Sequence, residues 1–465
     1  MTRIELDVSK KRIFPYVQVS TQTNKLTGQK ITVTSSYDNY GNPTSTVKTY
    51  LNGPTETTTN LYDNTVSSSQ WLLGRPASTT LQYTGGGNTI TRSGSRTFSS
   101  ANNNPNSETW HSGTNQQVVK GFKYNSNGTL KRDSITANGS YRTTVYSYET
   151  NSIRIKTIID PLLHTTTFNY DSYGRLLTKT DYLNNTLTFQ YDAMSRDTSL
   201  ISSDGNRTTT VYGWETPASV PKPARYSVLK TGNEGSQSKS WFDKLGREIR
   251  TDVKGYNGTW IYTVKRYNLK GQTDSVSDPY FSNETPLWNR YQYDNYGRIT
   301  SLIRPSGRNG SWVYNNNSVT ETTGGKTFTK TYSSDGTLSS AQDAGGTVTY
   351  AYYPDGKIKT ITAPGNIITQ MEYDTASNQT KLIDPSAGTI NYTYNGYGEL
   401  VTQQNARSQT TKIIYNADGT IKRKETPEGL VKYRYNANKQ LLNINFNDTR
   451  SEERRVGKEC RSRWS

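Results

Sequence analysis

The chain alternates apolar and polar residues with a period of two, in short stretches separated by turn-forming residues. Residues 208–212 (TTTVY) and 347–352 (TVTYAY) are examples. Alternation of this kind predicts strands that present two different faces. Leu, Ala, Glu and Lys at helical spacing are scarce, whereas Thr, Tyr, Val and Ile, which favour strands, are frequent. The pattern therefore predicts an all-β protein.

One motif recurs between these stretches: Tyr or Phe, then Asp or Asn, two residues, Gly, one residue, and Leu or Ile. Its aromatic first residues, here called heads, are Tyr37, Tyr124, Tyr170, Tyr191, Phe242, Tyr267, Tyr293, Tyr332, Tyr352, Tyr373, Tyr394, Tyr415 and Tyr435. Its glycines are Gly41, Gly128, Gly174, Gly246, Gly271, Gly297, Gly336, Gly356, Gly398 and Gly419. The copies at Tyr191, Tyr373 and Tyr435 lack the glycine. Self-similarity at a fixed period is the mark of a repeat architecture.

The spacing of the heads divides the chain. From Tyr332 to Tyr435 the heads are 20 or 21 residues apart, whereas earlier gaps are mostly longer. We therefore expect an N-terminal flank over residues 1–30, an irregular repeat region with insertions over 31–330, and a regular array over 331–449. Residues 450–465 differ in composition and form a fourth segment.

Each repeat predicts two strands of about six residues joined by two turns. Asp or Asn caps the first turn, and the glycine supplies the positive φ that closes it. A second turn signal, such as Pro364-Gly365-Asn366, follows half a repeat later. A hairpin is marginal alone, so successive hairpins should stack edge to edge into one quasi-one-dimensional sheet. We expect this stacking to bring Tyr next to Tyr across the ladder.

Composition excludes several classes of protein. Among 465 residues, 31% are apolar, 35 are Tyr and one is Cys, and the net charge is +17. No apolar run is long enough for a transmembrane helix, and the first residues do not resemble a signal peptide. One Cys and two His indicate neither a disulfide framework nor a metal centre. Because the positive charge is spread along the array, nucleic-acid binding is disfavoured, and an acidic cargo or a polyanionic cell surface suits it better.

Candidate catalytic groups are better explained as turn residues. His111 and His164 lie far apart in polar contexts, and the Asp-Pro pairs at Asp160, Asp278 and Asp384 are typical of turn initiation. The Tyr-Asp heads recur, whereas an active site needs a few unique residues. The tryptophans before residue 313 could instead stack on sugar rings, which leaves glycan binding open: Trp71, Trp110, Trp214, Trp241, Trp260, Trp288 and Trp312.

The motif, recurring near every 21 residues, resembles the YD repeats of the Rhs family, found also in toxin-complex proteins, wall-associated toxins and teneurins. Residues 71–76 (WLLGRP), 241–250 (WFDKLGREIR) and 278–281 (DPYF) are similar to the toxin-complex-like and SpvB-like branch. The resemblance covers about residues 31–447. It implies an extended antiparallel sheet that spirals into part of a hollow shell, which encloses a C-terminal toxic polypeptide or, in teneurins, supports adhesion.

The family's toxin-bearing members also have a core region after the array that cleaves the chain with aspartates. No Pro-Asp-Pro motif follows Tyr435 here, so the resemblance assigns neither self-cleavage nor toxicity to these residues. Residues 450–465, which include Cys460, resemble the forward translation of a sequencing adapter (AGA TCG GAA GAG CGT CGT GTA reads RSEERRV). We expect this tail to be artefactual and the natural protein to continue beyond Asp448 or Thr449.

The expected function is a non-catalytic structural segment of a secreted or cell-surface polymorphic toxin, without cofactor, metal or catalytic residues. Its expected partners are its own C-terminal toxin and core region and a toxin-complex or secretion-system protein. A cell-surface adhesin that binds carbohydrate is the alternative. We also expect an exposed sheet edge near residues 435–446, prone to aggregate.

Overall fold

The structure is a computed structural model that describes residues 2–7, 12–67, 69–100, 103–137, 139–150, 153–214, 224–436, 439–446 and 454–455. Within these ranges the regular structure consists of 43 β-strands, with no α-helix. Accordingly, no helix in this part of the chain is suited to cross a membrane. The all-β prediction is confirmed.

The strands of the first half are short, and most have five to eight residues. They are β1 Thr2–Asp7, β2 Arg12–Val17, β3 Val19–Thr23, β4 Lys30–Tyr37, β5 Pro43–Tyr50, β6 Thr55–Tyr62, β7 Thr65–Val66, β8 Trp71–Leu72, β9 Pro76–Gly85, β10 Asn88–Phe98, β11 Pro105–Trp110, β12 Val118–Tyr124, β13 Leu130–Ala137, β14 Ser140–Tyr148, β15 Ile155–Ile159, β16 Thr165–Tyr170, β17 Leu176–Thr180, β18 Thr186–Tyr191, β19 Asp197–Ser202, β20 Arg207–Trp214, β21 Tyr226–Gly232 and β22 Gln237–Phe242.

The second half continues in the same way. Its strands are β23 Glu248–Lys254, β24 Trp260–Tyr267, β25 Thr273–Ser277, β26 Tyr280–Phe281, β27 Trp288–Tyr293, β28 Ile299–Ile303, β29 Gly310–Asn315, β30 Ser318–Thr323, β31 Lys326–Tyr332, β32 Leu338–Asp343, β33 Gly346–Tyr352, β34 Ile358–Ala363, β35 Ile367–Tyr373, β36 Gln379–Asp384, β37 Gly388–Tyr394, β38 Leu400–Gln404, β39 Thr410–Tyr415, β40 Ile421–Thr426, β41 Gly429–Tyr435, β42 Leu441–Phe446 and β43 Arg454–Arg455.

From β3 to β43 the strands form one continuous antiparallel ladder, in which each strand pairs with the next along the chain. Two local departures occur: β7 and β8 form a separate hairpin between β6 and β9, and β24 pairs along its length with both β25 and β26, so that β25 pairs next with β27. β1 and β2 pair only with each other. The ladder runs through residue 330 within β31, and the boundaries at residues 30, 330 and 449 stay a prediction.

The last long strand is partly covered on its outer side. Asn443 and Ile444 of β42 pair with Arg455 and Arg454 of β43. The prediction of an exposed edge near residues 435–446 is therefore corrected at these two residues only, because among the described strands β43 reaches no further along β42. The rest of the tail, including Cys460, lies outside the described residues.

The sheet is a single layer with little core. The accessible surface is 29,597 Å², whereas a compact protein of this mass would expose roughly 17,500 Å². The buried apolar cluster consists of Ala224, Trp241 and Ile249, against which Tyr267 packs. Both faces of the ladder are thus largely accessible, and the low apolar fraction of the sequence follows from this architecture.

Candidate functional site: the head turns and the seam of the spiral

Each head is followed by a five-residue turn, here called a head turn, which begins at Asp or Asn except after Tyr332 and Tyr352, where it begins at Ser333 and Tyr353. At Asp243 the backbone N–H donates to the carbonyl of Arg247 at 3.0 Å, and the N–H of Gly246 donates back to the Asp243 carbonyl at 3.1 Å. The carboxylate Oδ1 accepts from the N–H groups of Leu245 and Arg247, and Oδ2 accepts from Arg247 Nε at 2.8 Å. One acidic side chain therefore fixes the whole turn.

The same geometry recurs along the array. The ten glycines of the motif have φ between +75° and +87°, and Ser195, Ser377 and Lys439 take the corresponding position with φ of 64°, 72° and 59°. A positive φ is costly for residues with a Cβ, which explains why the sequence prefers glycine there. In the ladder the strand pairing shifts by one residue beside the head, so each head turn includes a β-bulge.

The opposite edge of the sheet carries a second set of turns, here called return turns. Asp160–His164, Asp181–Asn185 and Asn405–Gln409 form the same pair of backbone hydrogen bonds as a head turn. Other return turns are tighter, such as Ala344-Gly345 between β32 and β33. Head turns and return turns therefore alternate along the chain on two opposite edges of one band.

The phenol hydroxyls of at least six heads donate to a backbone carbonyl of the previous repeat. The hydroxyl of Tyr191 donates to the carbonyl of Leu176 at 2.9 Å, and that of Tyr415 donates to the carbonyl of Leu400 at 2.9 Å. The acceptor is the first residue of the strand that follows the preceding head turn. The other heads with this type of bond follow the same rule: Tyr170 to Ile155, Tyr267 to Glu248, Tyr293 to Thr273 and Tyr352 to Leu338.

The expected ladder of Tyr against Tyr is not continuous, although Tyr226 stacks on the head Phe242 with ring centroids 4.7 Å apart and Tyr262 lies opposite Tyr280. The register places Leu176 opposite Tyr170 and Leu400 opposite Tyr394. On the other side, a cation covers the ring, since the Arg175 guanidinium lies 4.9 Å from the ring centroid of Tyr191. The physical reason is that successive heads lie two strands apart: Tyr170 is on β16 and Tyr191 is on β18, with β17 paired between them. Equivalent pairs are Arg247 over Tyr267 at 4.5 Å and Arg298 over Tyr314 at 4.2 Å.

Sequence reasoning missed two heads. Tyr148 donates to the Leu130 carbonyl at 2.7 Å and is followed by Glu149, but its turn is longer and has no glycine at the expected spacing. Asp63, after Tyr62, pairs with Arg75 across the inserted β7–β8 hairpin, with an N–O distance of 3.1 Å. A signal existed in each case, namely a Tyr-acid pair followed later by Arg and an apolar or Pro residue.

The band returns on itself, and residues 257 to 304 positions apart meet at a seam. Arg142 donates from Nη1 and Nη2 to the two carboxylate oxygens of Glu399, at 2.8 and 2.9 Å. Its guanidinium also lies 3.8 Å from the ring centroid of Tyr397, whose hydroxyl donates to the Ser140 carbonyl at 3.0 Å. Fork-to-fork pairing of this kind is the strongest geometry for a surface or half-buried ion pair.

Further contacts extend the seam in both directions along the chain. Gln29 donates to the Ser333 carbonyl at 3.0 Å, and Arg92 donates from Nε to the Thr375 carbonyl at 3.0 Å. Arg92 also pairs with Asp355. In every case a return turn, or the strand beside it, from residues 29–142 meets a head turn from residues 333–399. The band is therefore a spiral, and one turn of it takes about 260 to 300 residues.

The candidate catalytic and metal-binding residues do not converge. His164 stacks on Tyr182 at 3.7 Å and pairs with Asp160 in a return turn, while His111 lies in another return turn, where burial lowers its pKa. Asp384 accepts the N–H groups of Ser386 and Ala387 within a turn. Among the described residues no group of three His, Cys, Asp or Glu could hold a metal ion.

The tryptophans proposed for glycan binding differ in accessibility. Trp71 and Trp214 are exposed, and Trp71 lies edge-on to Tyr40 at 6.3 Å. Trp241 is buried and donates from Nε1 to Asp252 at 2.7 Å. The remaining ones are partly buried: Trp110, Trp260, Trp288 and Trp312.

Removing the hydroxyl of one head should weaken the sheet. We expect Tyr191→Phe to lower the free energy of unfolding by about 1 kcal/mol, because the Leu176 carbonyl loses its donor while the ring keeps its place under Arg175. Tyr173→Phe is the matched control, since the Tyr173 side chain is exposed. Urea denaturation followed by tyrosine fluorescence measures both variants, and equal midpoints for the two would contradict the role of the hydroxyl.

The turn carboxylates and head phenols also predict a stability profile with pH. Burial would raise the pKa of Asp243, but hydrogen bonds from Arg247 and Leu245 outweigh it and hold that pKa below its usual range. Burial raises the pKa of Tyr394 and Tyr415.

A lowered carboxyl pKa stabilises the fold above the unfolded value of about 3.9, and this stability is lost as pH falls through the folded pKa. A raised phenol pKa stabilises the fold below about 10, and this stability is lost as pH rises. We expect the urea midpoint to be flat from about pH 5 to about pH 9 and to fall on both sides. A midpoint that rises as pH drops from 5 to 3 would contradict this account.

Comparison with known proteins agrees with the geometry. The RHS repeat family model matches residues 170–209, which contain the heads Tyr170 and Tyr191. No curated protein matches the sequence. Among solved structures, the TcdB2-TccC3 crystal structure is 12% identical, with a TM-score of 0.61 over 95% of this chain and 31% of that one.

Two related structures give the same result. The TcdB2-TccC3-Cdc42 structure is 11% identical, with a TM-score of 0.63 over 97% of this chain and 34% of that one. A mutant Photorhabdus luminescens Tc holotoxin pore is 11% identical, with a TM-score of 0.60 over 95% of this chain and 33% of that one. The chain thus spans about a third of the length of these relatives in fold.

The head turns, the unbroken antiparallel ladder and the seam define a spiral β-sheet protein built from YD hairpins. Residues 170–209 carry the RHS repeat, and the chain has the fold of the Tc toxin shell.

Proposed function

We propose that this chain builds part of the wall of a β-shell that encloses a C-terminal toxic polypeptide of a larger Rhs or toxin-complex-like protein. The observation that carries the proposal is the seam. A ladder of hairpins alone would be an open ribbon, but the contacts of Arg142 with Glu399 and of Arg92 with Asp355 turn the ribbon into a closed wall.

The turn residues support a structural role. The carboxylate that begins a head turn accepts hydrogen bonds within that turn, as Asp243 does. The head phenols that bond to the previous repeat donate to a backbone carbonyl, as Tyr191 does. Side chains that already form hydrogen bonds with the backbone are poor candidates for acid–base chemistry. The wall would then act by separating an interior from solvent, in a secreted or cell-surface protein that assembles with a toxin-complex or secretion-system partner.

Small-angle scattering of the purified chain tests the proposal. A compact protein of 465 residues has a radius of gyration of roughly 23 Å, and a curved hollow wall should exceed this clearly, with a pair-distance distribution depleted at short distances. A radius near the compact value would overturn the proposal. The variant Arg142→Ala should increase the radius further, because it releases the seam.

A second function, carbohydrate binding by an adhesin, is favoured by one observation. Trp71 and Trp214 present exposed rings, and Trp71 lies against Tyr40. Such a pair could stack on a sugar ring. A glycan array on the purified chain and on Trp71→Ala tests this function; no signal above background for the unmodified chain would exclude it as the main activity.

A further inference from the structure

Between β22 and β27 one face of the sheet carries a row of cations, here called the basic row. Its four members are Lys239 on β22, Arg250 on β23, Arg266 on β24 and Arg290 on β27. Because β25 lies between β24 and β27 in the ladder, the row crosses five neighbouring strands. At the usual strand spacing it is about 19 Å long. Four cations in a line of this length match a linear polyanion rather than a single small anion.

The strand register places these cations on the same face. Residues paired across antiparallel strands share a face, and so do residues two positions apart in one strand. Arg266 and Arg290 are both paired with Ser275. Arg250 is paired with Val264, which precedes Arg266 by two residues. The row is therefore a continuous feature of one face in the middle of the sheet, away from the head turns and the return turns.

Three of the four cations are stacked on aromatic rings of that face. The distances from the cationic atom to the ring centroid are 3.8, 4.0 and 3.8 Å for Lys239 on Trp241, Arg250 on Tyr262 and Arg266 on Trp288. Lys239 precedes Trp241 by two residues, and Trp241 is paired with Arg250. A cation–π contact holds a guanidinium in place but uses none of its N–H donors. The ring therefore orients Arg266 for a ligand at a small cost in side-chain entropy.

The charge of the basic row is compensated only in part. The five strands that it crosses hold three acids, Glu248, Asp252 and Asp274. Asp252 lies beside the row and pairs with Arg250. Glu248 pairs with Lys265 on the opposite face, and Asp274 alternates onto that face as well. Four cations and one acid leave this face with a net charge of +3.

Arg266 and Arg290 are the accessible members of the row. Both side chains are exposed, and neither forms an ion pair among the described residues. Head-turn arginines differ in this respect, since Arg298, for example, pairs with Asp294 at the start of its own turn. Two guanidinium groups on the row therefore keep their N–H donors for oxoanions, and their planar forks match the geometry of carboxylates.

The surroundings of the row narrow the class of ligand. Its strands are paired on both sides, so their backbone cannot receive an added peptide strand. Its three rings are covered by its own cations, so they lack the open surfaces on which nucleic-acid bases stack. Beside Arg290, Gln292 is paired with Ser301, and Ser301 with Ser311. These amide and hydroxyl groups suit a ligand that is rich in hydroxyl groups.

We propose that the basic row binds a linear polysaccharide that carries carboxylate groups. Arg266 and Arg290, about 10 Å apart across β25, each bind a carboxylate through a bidentate fork. Gln292 and Ser301 form hydrogen bonds with sugar hydroxyls between and beside these carboxylates. The site is separate from the surface of Trp71 and does not depend on an enclosed polypeptide.

Isothermal titration calorimetry of the purified chain with an oligogalacturonate tests the proposal. We expect saturable binding to the unmodified chain and at least tenfold weaker binding to Arg266→Gln/Arg290→Gln. Arg290→Gln alone leaves the stack of Arg266 on Trp288 intact and should weaken binding at least threefold. The matched control is Arg132→Gln/Arg407→Gln, which removes two exposed cations elsewhere and the same net charge, and should change binding less than twofold.

Urea midpoints within error of the unmodified chain show that these variants are folded. No binding of the oligogalacturonate, or equal loss in the matched control, would overturn the proposal. Equally tight binding of a single-stranded oligodeoxynucleotide would overturn it too, because the row would then recognise charge alone. Trp71→Ala should bind the oligogalacturonate normally, and a loss in that variant would place binding on the other surface. Each of these failures would leave the scattering test of the hollow wall unaffected.

Discussion

Replacing Arg142 with alanine should open the seam and cost about 2–3 kcal/mol of unfolding free energy, because the variant leaves the half-buried Glu399 carboxylate without its bidentate partner. The Tyr397 ring would lose its cation as well. The expected result is a lower urea midpoint together with faster hydrogen exchange at residues 137–140 and 395–399, on both sides of the seam.

The matched control for Arg142→Ala is Arg423→Ala. Arg423 pairs with Glu425 within one hairpin, where both side chains are substantially exposed, so its loss should change stability by less than about 0.5 kcal/mol. The double variant Arg142→Ala/Glu399→Gln completes a thermodynamic cycle. If the effects of its two substitutions simply add, the two side chains do not couple and the seam has another origin.

The second large effect is expected at a single head turn. Asp243→Ala removes the acceptor of three hydrogen bonds, two of them from the backbone of Leu245 and Arg247, and its side chain is only 3% exposed. Unsatisfied donors at a buried site cost about 1–3 kcal/mol, so we expect Asp243→Ala to lower the free energy of unfolding by an amount near the upper end of that range. The neighbouring cluster of Trp241 and Ile249 should loosen with it.

Asp243→Asn is the informative comparison. The amide keeps an oxygen for the two backbone N–H groups but lacks the charge that pairs with Arg247. The loss of unfolding free energy should therefore be clearly smaller than for Asp243→Ala. Head turns that begin with asparagine, such as those at Asn395 and Asn416, show that the turn tolerates this substitution. Urea denaturation of both variants gives the difference, and an equal loss for the two would place the stabilisation in the ion pair alone.

The repeat could be predicted from sequence because each head turn is encoded within seven residues. Asp caps the turn and glycine closes it, so the motif at Tyr170–Leu176 specifies its own geometry. The same local reasoning failed for Tyr148, where the turn is longer, and for the expected continuous Tyr ladder, because successive heads lie two strands apart and a ring such as that of Tyr191 meets an arginine instead. Local rules fix what a turn is, but only the register shows which side chains become neighbours.

The seam could not be predicted from sequence. Arg142 lies in a stretch that resembles many others, and its partner Glu399 is 257 residues away. Which residues meet across the seam depends on how many strands complete one turn of the spiral. The twist of each strand contributes to that number. No sequence motif encodes the summed twist of these strands, so the closure of the wall becomes visible only in the three-dimensional structure.

The seam also sets the circumference of the spiral, which can be counted in strands. About 24 strands separate β14, which carries Arg142, from β38, which follows Glu399; at about 4.8 Å per strand they span roughly 115 Å, or about 37 Å across if the turn is circular. Subtracting one sheet thickness of about 10 Å leaves a lumen near 27 Å. A folded domain of 100 residues measures about 34 Å across. For the polypeptide that we propose the wall encloses, a lumen of this width admits an extended or partly unfolded chain and excludes a folded domain of that size.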